Sequence, residues 1–164
     1  YIFVGNSRGV ARSSVMWAIE DHLPLRIWGS GWNHILKDHM DLIEAPHIEN
    51  DKIPELYRTS KAALNDHWED MRGKQFINNR IFDVLACGLP VISDTCQELK
   101  ELFPEAVLHY ETKEEFDNCI KQIECNYDTV RSKVREQWPL IQREYSFAAR
   151  ARQLIEIAKQ YQSK

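Results

Sequence analysis

The sequence lacks an excess of basic residues and lacks any long apolar run. Its 164 residues include 21 Lys and Arg against 25 Asp and Glu, a formal net charge of −4 at pH 7. Nucleic-acid-binding domains usually carry a basic surface, so this balance argues against one. No apolar run approaches the ~20 residues needed to cross a bilayer, and no signal peptide is visible. We therefore expect no nucleic acid as partner, no transmembrane segment and a cytoplasmic location, with peripheral attachment to the inner face of the membrane as an alternative.

Closely spaced cysteine pairs are missing too. None of the cysteines forms a C-x-x-C pair, and no histidine lies at zinc-finger spacing. The four residues are Cys87, Cys96, Cys119 and Cys125. Reduced, structural thiols are the favoured interpretation, and they fit a cytoplasmic protein. Cys87 and the following Gly88 are both predicted to be buried, packing a helix onto its neighbouring strand.

The sequence does not begin with methionine. It opens on Tyr1, and residues 1–5 are typical of a buried strand that normally has sequence before it. The length suits one domain. We therefore expect residues 1–164 to be a single domain excised from a longer chain, with part of the active site elsewhere in that chain.

What the sequence does contain is an alternation of short β-type runs with helical stretches. The predicted strands are residues 1–4, 25–28, 42–48, 62–65, 91–93 and 107–110. The predicted helices are residues 13–22, 53–59, 79–86, 98–102, 114–123 and 150–159. This order predicts an α/β fold, a Rossmann-like doubly wound parallel sheet with extra C-terminal helices. Ligands bind such sheets beyond the carboxyl ends of the strands.

The turn after the first predicted strand, residues 5–14, combines glycines, arginines and serines just before a helix. Arg8 and Arg12, together with helix N-terminal N–H groups, suit a diphosphate. Gly5 and Ser7 belong to the same candidate site. The spacing is neither G-x-G-x-x-G nor a P-loop. A flexible loop with a good N-cap is therefore an equal alternative.

Trp32 follows two glycines in the turn after the second predicted strand. Glycines allow the backbone to approach a ligand or another loop closely. The indole could stack on a base or a sugar, and a packing role in the core is the alternative.

The stretch from residue 65 to residue 80 is the most polar part of the chain, and it follows a predicted buried strand. Asp66, His67 and Asp70 are residue types that bind metals, but adjacent Asp and His on an irregular loop are weak evidence, and we expect no metal. His67 suits a contact to a sugar hydroxyl or a phosphate. Asp66 and Asn78 can instead cap backbone N–H groups.

Asp83 stands out in the predicted helix 79–86 because most other positions there are apolar. A buried carboxylate is costly unless it is paired or serves a ligand. Arg80, three residues earlier, lies on the same face of the helix. Two alternatives follow: Asp83 contacts a ligand, or it pairs with Arg80.

Residues 82–92, Phe-Asp-Val-Leu-Ala-Cys-Gly-Leu-Pro-Val-Ile, resemble the donor-site helix and strand of GT-B glycosyltransferases. Residues 64–68 and 76–83 resemble, within the group 1 glycosyltransferases, the branch related to CgeB-like, spore-maturation-type enzymes. The resemblance covers nearly the whole chain. It implies the C-terminal half of a two-domain enzyme, which binds a nucleoside diphosphate sugar such as a UDP or GDP sugar and needs neither metal nor cofactor.

The resemblance also implies roles for individual residues. Related retaining enzymes carry two glutamates separated by seven residues, of which the second holds the ribose hydroxyls and the first helps to hold the sugar. Asp83 matches the second in type, and Gln75 occupies the register of the first. The candidates for neutralising the charge of the leaving diphosphate are Arg8, Arg12 and Arg80. The remaining candidate donor-binding residues are Asn78, Asn79, His67, Asp66, Ser7, Gly5 and Trp32.

As a whole, the resemblance implies a hexosyltransferase that acts on an acceptor such as a glycan of a cell-surface polysaccharide. The N-terminal domain would supply the acceptor site, so the isolated chain is expected to be inactive. A non-catalytic nucleotide-sugar-binding module is one alternative, and a flavodoxin-like interaction domain is another. A receiver-type domain is disfavoured, because residues 6–8 are Asn-Ser-Arg where it would have an acidic cluster.

Overall fold

The sheet consists of six parallel strands in the computed structural model, which describes residues 1–162. The strands are β1 (Ile2–Val4), β2 (Arg26–Trp28), β3 (Ile43–Ala45), β4 (Ala63–Asn65), β5 (Val91–Asp94) and β6 (Val107–Tyr110). All six predicted strands are confirmed, although β3 is shorter than predicted. The predicted Rossmann-like α/β fold is likewise confirmed.

The strand order is β3-β2-β1-β4-β5-β6. Strands β1 to β3 run outward in one direction, and β4 returns to pair with the other side of β1, at Ile2 and Ala63. The direction of the sheet therefore switches between β1 and β4, where doubly wound sheets bind ligands. A flavodoxin-like sheet has the order 2-1-3-4-5. The flavodoxin-like alternative is therefore wrong.

Helices cover both faces of the sheet. They are α1 (Ser13–Glu20), α2 (Ile53–Arg58), α3 (Glu69–Gly73), α4 (Asn79–Ala86), α5 (Gln97–Leu102), α6 (Lys113–Cys125), α7 (Tyr127–Glu136), α8 (Trp138–Leu140) and α9 (Phe147–Gln162). A π-helical segment, Ile141–Tyr145, joins α8 to α9, and two 3₁₀ turns, Trp32–His34 and Met40–Leu42, lie between β2 and β3. Helix α3 was not predicted. Within residues 1–162, no helix is both long and apolar enough to cross a membrane.

Two apolar layers hold the helices on the sheet, because successive strand residues point to opposite faces. In β1, Phe3 belongs to the layer shared with α1, α6 and α7, and Ile2 belongs to the layer shared with α4 and α5. In β5, Ile92 belongs to the same layer as Phe3, and Val91 belongs to the same layer as Ile2. Apolar residues on both faces are typical of a parallel sheet buried between helices.

Helix α4 has the bounds predicted from its sequence. It ends before Gly88, whose φ of +72° lies in the left-handed region that favours glycine. Gly88 is buried as predicted, and a Cβ there would lie 3.0 Å from Cζ2 of Trp138. Cys87 is only half-buried, so that prediction is wrong. Burial still raises the pKa of its thiol. All four cysteines are free.

Candidate functional site

A cavity of about 270 Å³ opens at the carboxyl edge of the sheet, between the ends of β1 and β2 and the segment that follows β4, which contributes Trp68, Asn78 and Arg80. We call it the switch-point cavity. Its walls come from the end of β1 and the turn after it, from the end of β2, from the loop after β3 and from the start of α4. Several of the predicted site residues therefore meet here, and Gly5, Arg8, Arg12, Asn78 and Arg80 line the cavity.

Three arginines converge on this cavity. Arg8 is exposed, Arg80 is half-buried, and Arg12 is buried. The ion pairs found within residues 1–162 all involve other side chains. The cavity therefore carries positive charge that no carboxylate in the described part of the chain neutralises by direct contact.

Burial lowers the pKa of both Arg12 and Arg80. For Arg12, the attraction of Asp66 opposes this shift, while repulsion from the other two arginines adds to it. For Arg80, nearby Tyr57 and Asp83 oppose the shift. A bound anion would offset the repulsion of Arg12 by the other two arginines and the loss of hydration of Arg12 and Arg80.

The Arg12 guanidinium stacks on the indole of Trp68, with Cζ 3.4 Å from the ring centroid. Cζ of Arg8 lies 5.0 Å from the same ring. Nη1 of Arg12 donates a hydrogen bond of 3.4 Å to the backbone oxygen of His67, and its buried Nε has no hydrogen-bond partner within residues 1–162. Trp68 thus contacts two of the three arginines, a role that no sequence motif indicated.

Gly5 makes room for the Arg80 guanidinium. A Cβ at Gly5 would lie 2.8 Å from Nη2 of Arg80, so a larger residue would displace this side chain. Nη1 of Arg80 donates to Oδ1 of Asn65 at 3.4 Å. The absence of a side chain at Gly5 therefore leaves the space that the guanidinium of Arg80, from the start of α4, occupies at the cavity.

A chain of hydrogen bonds fixes the start of α4. Oδ1 of Asn78 accepts from the backbone N–H of Arg80 at 2.9 Å, which makes Asn78 the N-cap. The backbone N–H of Asn78 donates to Nε2 of His67 at 3.1 Å. Nδ1 of His67 lies 2.6 Å from Oδ1 of Asp94. Because Nε2 accepts, the proton of the neutral imidazole sits on Nδ1 and is donated to Asp94.

His67 is therefore a structural link in this state, because both of its ring nitrogens are engaged. Its backbone N–H also donates to Oδ1 of Asp94, at 2.8 Å. The sequence interpretation missed Asp94. The signal available was an acidic residue at the carboxyl end of an otherwise uncharged strand, β5.

Asp66 closes the N-terminus of α1. Its Oδ2 accepts from the backbone N–H of Ser14 at 3.3 Å and from the Ser14 hydroxyl at 2.8 Å. The Tyr110 hydroxyl donates to the other carboxylate oxygen. Burial raises the pKa of Asp66, although these hydrogen bonds oppose the shift. The capping alternative thus describes Asp66, whose side chain already occupies the N-terminus of α1.

Trp32 and Ser7 do not line the switch-point cavity. Trp32 is 1% exposed, its Nε1 donates to the backbone oxygen of Gly5 at 2.7 Å, and its ring packs edge-on against Phe3. The structure therefore supports the packing alternative for Trp32. Ser7 is buried, and its Oγ accepts from the backbone N–H of Gly9 at 3.2 Å.

Gln75, Asn79 and Asp83 do not line the switch-point cavity. Oε1 of Gln75 accepts from the backbone N–H of Gln97 at 2.7 Å, which ties the loop before α4 to the start of α5. Asn79 is exposed at the first position of α4. Asp83 is exposed too, so the expectation of a buried carboxylate is wrong. Partial desolvation still raises the pKa of Asp83, and the charge of Arg80 opposes this shift.

A second, larger cavity of about 870 Å³ lies beneath α3 and shares Arg12 and Trp68 with the first. Gln75, Asp66 and His67 line it. Across the described residues, no group of three or more His, Cys, Asp or Glu side chains is placed to hold a metal ion.

Residues 12–156 match the sequence model of the glycosyl transferase-like family. The match covers most of the chain, so the protein belongs to the glycosyl transferase-like family. No curated protein matches the sequence. The finer resemblance to the CgeB-like branch stays a prediction.

Solved structures share the fold at low sequence identity. Sucrose-phosphate synthase from Thermosynechococcus elongatus matches 99% of this chain and 45% of its own, with 16% identity and a TM-score of 0.73. WaaG, a glycosyltransferase involved in lipopolysaccharide biosynthesis, matches 84% of this chain and 42% of its own, with 13% identity and a TM-score of 0.59. AviGT4, a glycosyltransferase involved in avilamycin A biosynthesis, matches 84% of this chain and 45% of its own, with 16% identity and a TM-score of 0.56.

These similarities show the Rossmann-like fold of GT-B glycosyltransferases. The chain spans less than half the length of each of these three structures.

Replacing Asp66 tests its role as the cap of α1. We expect Asp66→Ala to lower the free energy of unfolding by about 1–3 kcal/mol, because Ser14 and Tyr110 lose the acceptor for their buried donors. Chemical denaturation measures this change. Asp70→Ala is the control, since Asp70 is exposed at the start of α3. Equal stability of Asp66→Ala and wild type would contradict the assignment.

Proposed function

We propose that this chain binds a nucleoside diphosphate sugar and forms the donor-binding half of a glycosyltransferase that needs no metal. The observation that supports this most is the convergence of Arg8, Arg12 and Arg80 on one cavity without a carboxylate partner. Arginine forks match phosphate oxygens in geometry and charge. The cavity also lies at the switch point of the sheet, where doubly wound folds bind nucleotides.

The segments that line the cavity differ in chemistry. The turn between β1 and α1 and the start of α4 supply the arginines and Asn78, whereas the end of β2, the loop after β3 and the start of α2 supply Trp28, Pro46, Ile48 and Ile53. We therefore propose that the diphosphate lies against the arginines and the nucleoside against the apolar residues. Helix α4 begins beside the arginines, and its positive N-terminal end adds to the attraction for an anion.

In the proposed reaction, the bond between the anomeric carbon and the phosphate oxygen of the donor breaks, and a bond from that carbon to the acceptor oxygen forms. The proton of the acceptor hydroxyl passes to a base. Negative charge develops on the departing diphosphate, and guanidinium groups already in place stabilise that charge. Arg8, Arg12 and Arg80 are the residues proposed for this role.

The acceptor site and the base are proposed to lie in an N-terminal domain of the same protein. In support, the matches cover only 42–45% of the length of these solved structures. On its own, the chain is then expected to bind the donor without turnover. A glycan acceptor and a hexosyl donor stay predictions that follow from the resemblance. A cytoplasmic location, with peripheral attachment to the inner face of the membrane as the alternative, stays a prediction from the sequence.

Calorimetric titration with UDP, GDP, ADP and TDP in EDTA tests the proposed function. We expect wild type to bind at least one of them without metal. Arg80→Ala should weaken that binding roughly 10- to 150-fold, since a charge-assisted hydrogen bond contributes about 1.5–3 kcal/mol. Arg135→Ala is the control, because Arg135 is exposed on α7.

Two results would contradict this expectation separately. Binding that requires a divalent metal would overturn the metal-free proposal. An unchanged dissociation constant for Arg80→Ala, with wild-type binding intact, would remove Arg80 from the site.

Asp83→Asn tests whether this carboxylate contacts the ribose, as the resemblance implies. Because Asp83 is exposed, we expect the stability of the fold to change little. Binding of the preferred nucleoside diphosphate should weaken by roughly 10-fold, while inorganic pyrophosphate binds as before. If both ligands weaken equally, Asp83 acts through Arg80 and does not contact the ribose.

A further inference from the structure

Trp68 lies where three cavities at the carboxyl edge of the sheet meet. Its side chain lines the switch-point cavity, the larger cavity beneath α3 and a shallow cavity beside the start of α4. The mechanism proposed above assigns it no role. Its position nevertheless brings it against the charged part of the site.

The indole is the common aromatic partner of Arg8 and Arg12. With Cζ 3.4 Å from the ring centroid, Arg12 lies directly over the ring, and Cζ of Arg8 at 5.0 Å is within range of the same π system. Tryptophan offers the strongest cation–π attraction among the aromatic side chains. Both arginines belong to the turn between β1 and α1, so a single ring contacts two side chains of that turn.

Other contacts hold the Arg12 guanidinium only weakly. Its Nε has no hydrogen-bond partner, its Nη1 makes one long bond of 3.4 Å, and it forms no ion pair within the described residues. Arg8 and Arg80 both repel it. The face of the Trp68 ring, with Cζ of Arg12 3.4 Å from its centroid, is therefore the contact we expect to fix where this guanidinium lies.

The backbone around Trp68 is anchored on both sides. Before it, the N–H of His67 donates to Asp94 at 2.8 Å. After it, the N–H of Arg72 donates to the backbone oxygen of Trp68 at 2.9 Å, which starts α3. The indole thus projects from a fixed segment and provides a stable surface for the arginines.

We propose that Trp68 is a positioning residue whose π face holds Arg8 and Arg12 in the arrangement that binds a diphosphate. This inference rests on the proposed function. Trp68 acts through the two arginines and need not touch the reacting atoms. An apolar side chain without a π face would fill part of the space and lose the attraction.

Site-specific replacement of Trp68 by mono-, di- and trifluorotryptophan in the full chain tests this proposal. Fluorine withdraws electron density from the ring face and nearly preserves its shape. Calorimetry in EDTA with inorganic pyrophosphate should show that affinity decreases with each added fluorine. The trifluorinated protein should bind about 2- to 30-fold more weakly than wild type. Melting temperatures should stay constant along the series, so a loss of folding does not enter the result.

The same fluorinated series at Trp138 is the matched control. Trp138 donates from Nε1 to the backbone oxygen of Leu85 and lines none of these three cavities. Pyrophosphate affinity should be constant along this series. As a second measurement, Trp68→Leu should weaken binding in wild type and weaken it less in an Arg12→Met background, where only the contact with Arg8 is left to lose.

Constant pyrophosphate affinity along the Trp68 series would overturn the positioning role and leave the proposed function intact. Full additivity of Trp68→Leu and Arg12→Met would also overturn it. Failure of the wild-type chain to bind pyrophosphate and every nucleoside diphosphate would instead overturn the proposed function, and the role of Trp68 with it.

Discussion

The repulsion of the buried Arg12 guanidinium by Arg8 and Arg80 is the constraint around which this end of the molecule is built. Arg8, Arg12 and Arg80 share the wall of one cavity, and no carboxylate pairs with any of them in residues 1–162. Like charges in a partly desolvated site disfavour each other, which is why burial and proximity both lower the pKa of Arg12. Such an arrangement persists only if the surrounding structure holds the segments that carry the arginines.

That support comes from buried polar contacts one layer below the cavity. Asp66 ties the start of α1 to the end of β4, and Asp94 orients His67, which in turn holds the backbone of Asn78 at the start of α4. These carboxylates are occupied by neutral donors and by a histidine rather than by the arginines. The positive charge is thereby left for a ligand. The same contacts explain why polar residues are concentrated between β4 and α4 although several of them never face the cavity.

The fold followed from patterns that are local in sequence. Short apolar runs predicted the strands, and a capping Asn78 with a terminal Gly88 predicted both ends of α4. The meeting of Arg8 and Arg80 was also predictable, because the turns after β1 and β4 must adjoin at the switch point of a doubly wound sheet. Helix α3 was missed because its five residues carry no apolar periodicity.

The details of the site that were not predicted depend on contacts between distant segments. The pairing of His67 with Asp94 spans 27 residues, and no spacing in the sequence indicates it. The exposure of Asp83, by contrast, was open to prediction. Ile81, Val84 and Leu85 are the buried residues of α4, and helical periodicity places position 83 on the other side. The apolar neighbours of Asp83 along the chain therefore do not surround it in the helix.

The central claim is that the three arginines form a diphosphate site without metal. A crystal structure of the chain soaked in EDTA with the nucleoside diphosphate that binds most tightly tests it most directly. The account predicts density for the diphosphate in the switch-point cavity, with its oxygens within hydrogen-bond distance of at least two of Arg8, Arg12 and Arg80. A nucleotide bound in the larger cavity beneath α3, or with its phosphates turned away from the arginines, would contradict the account.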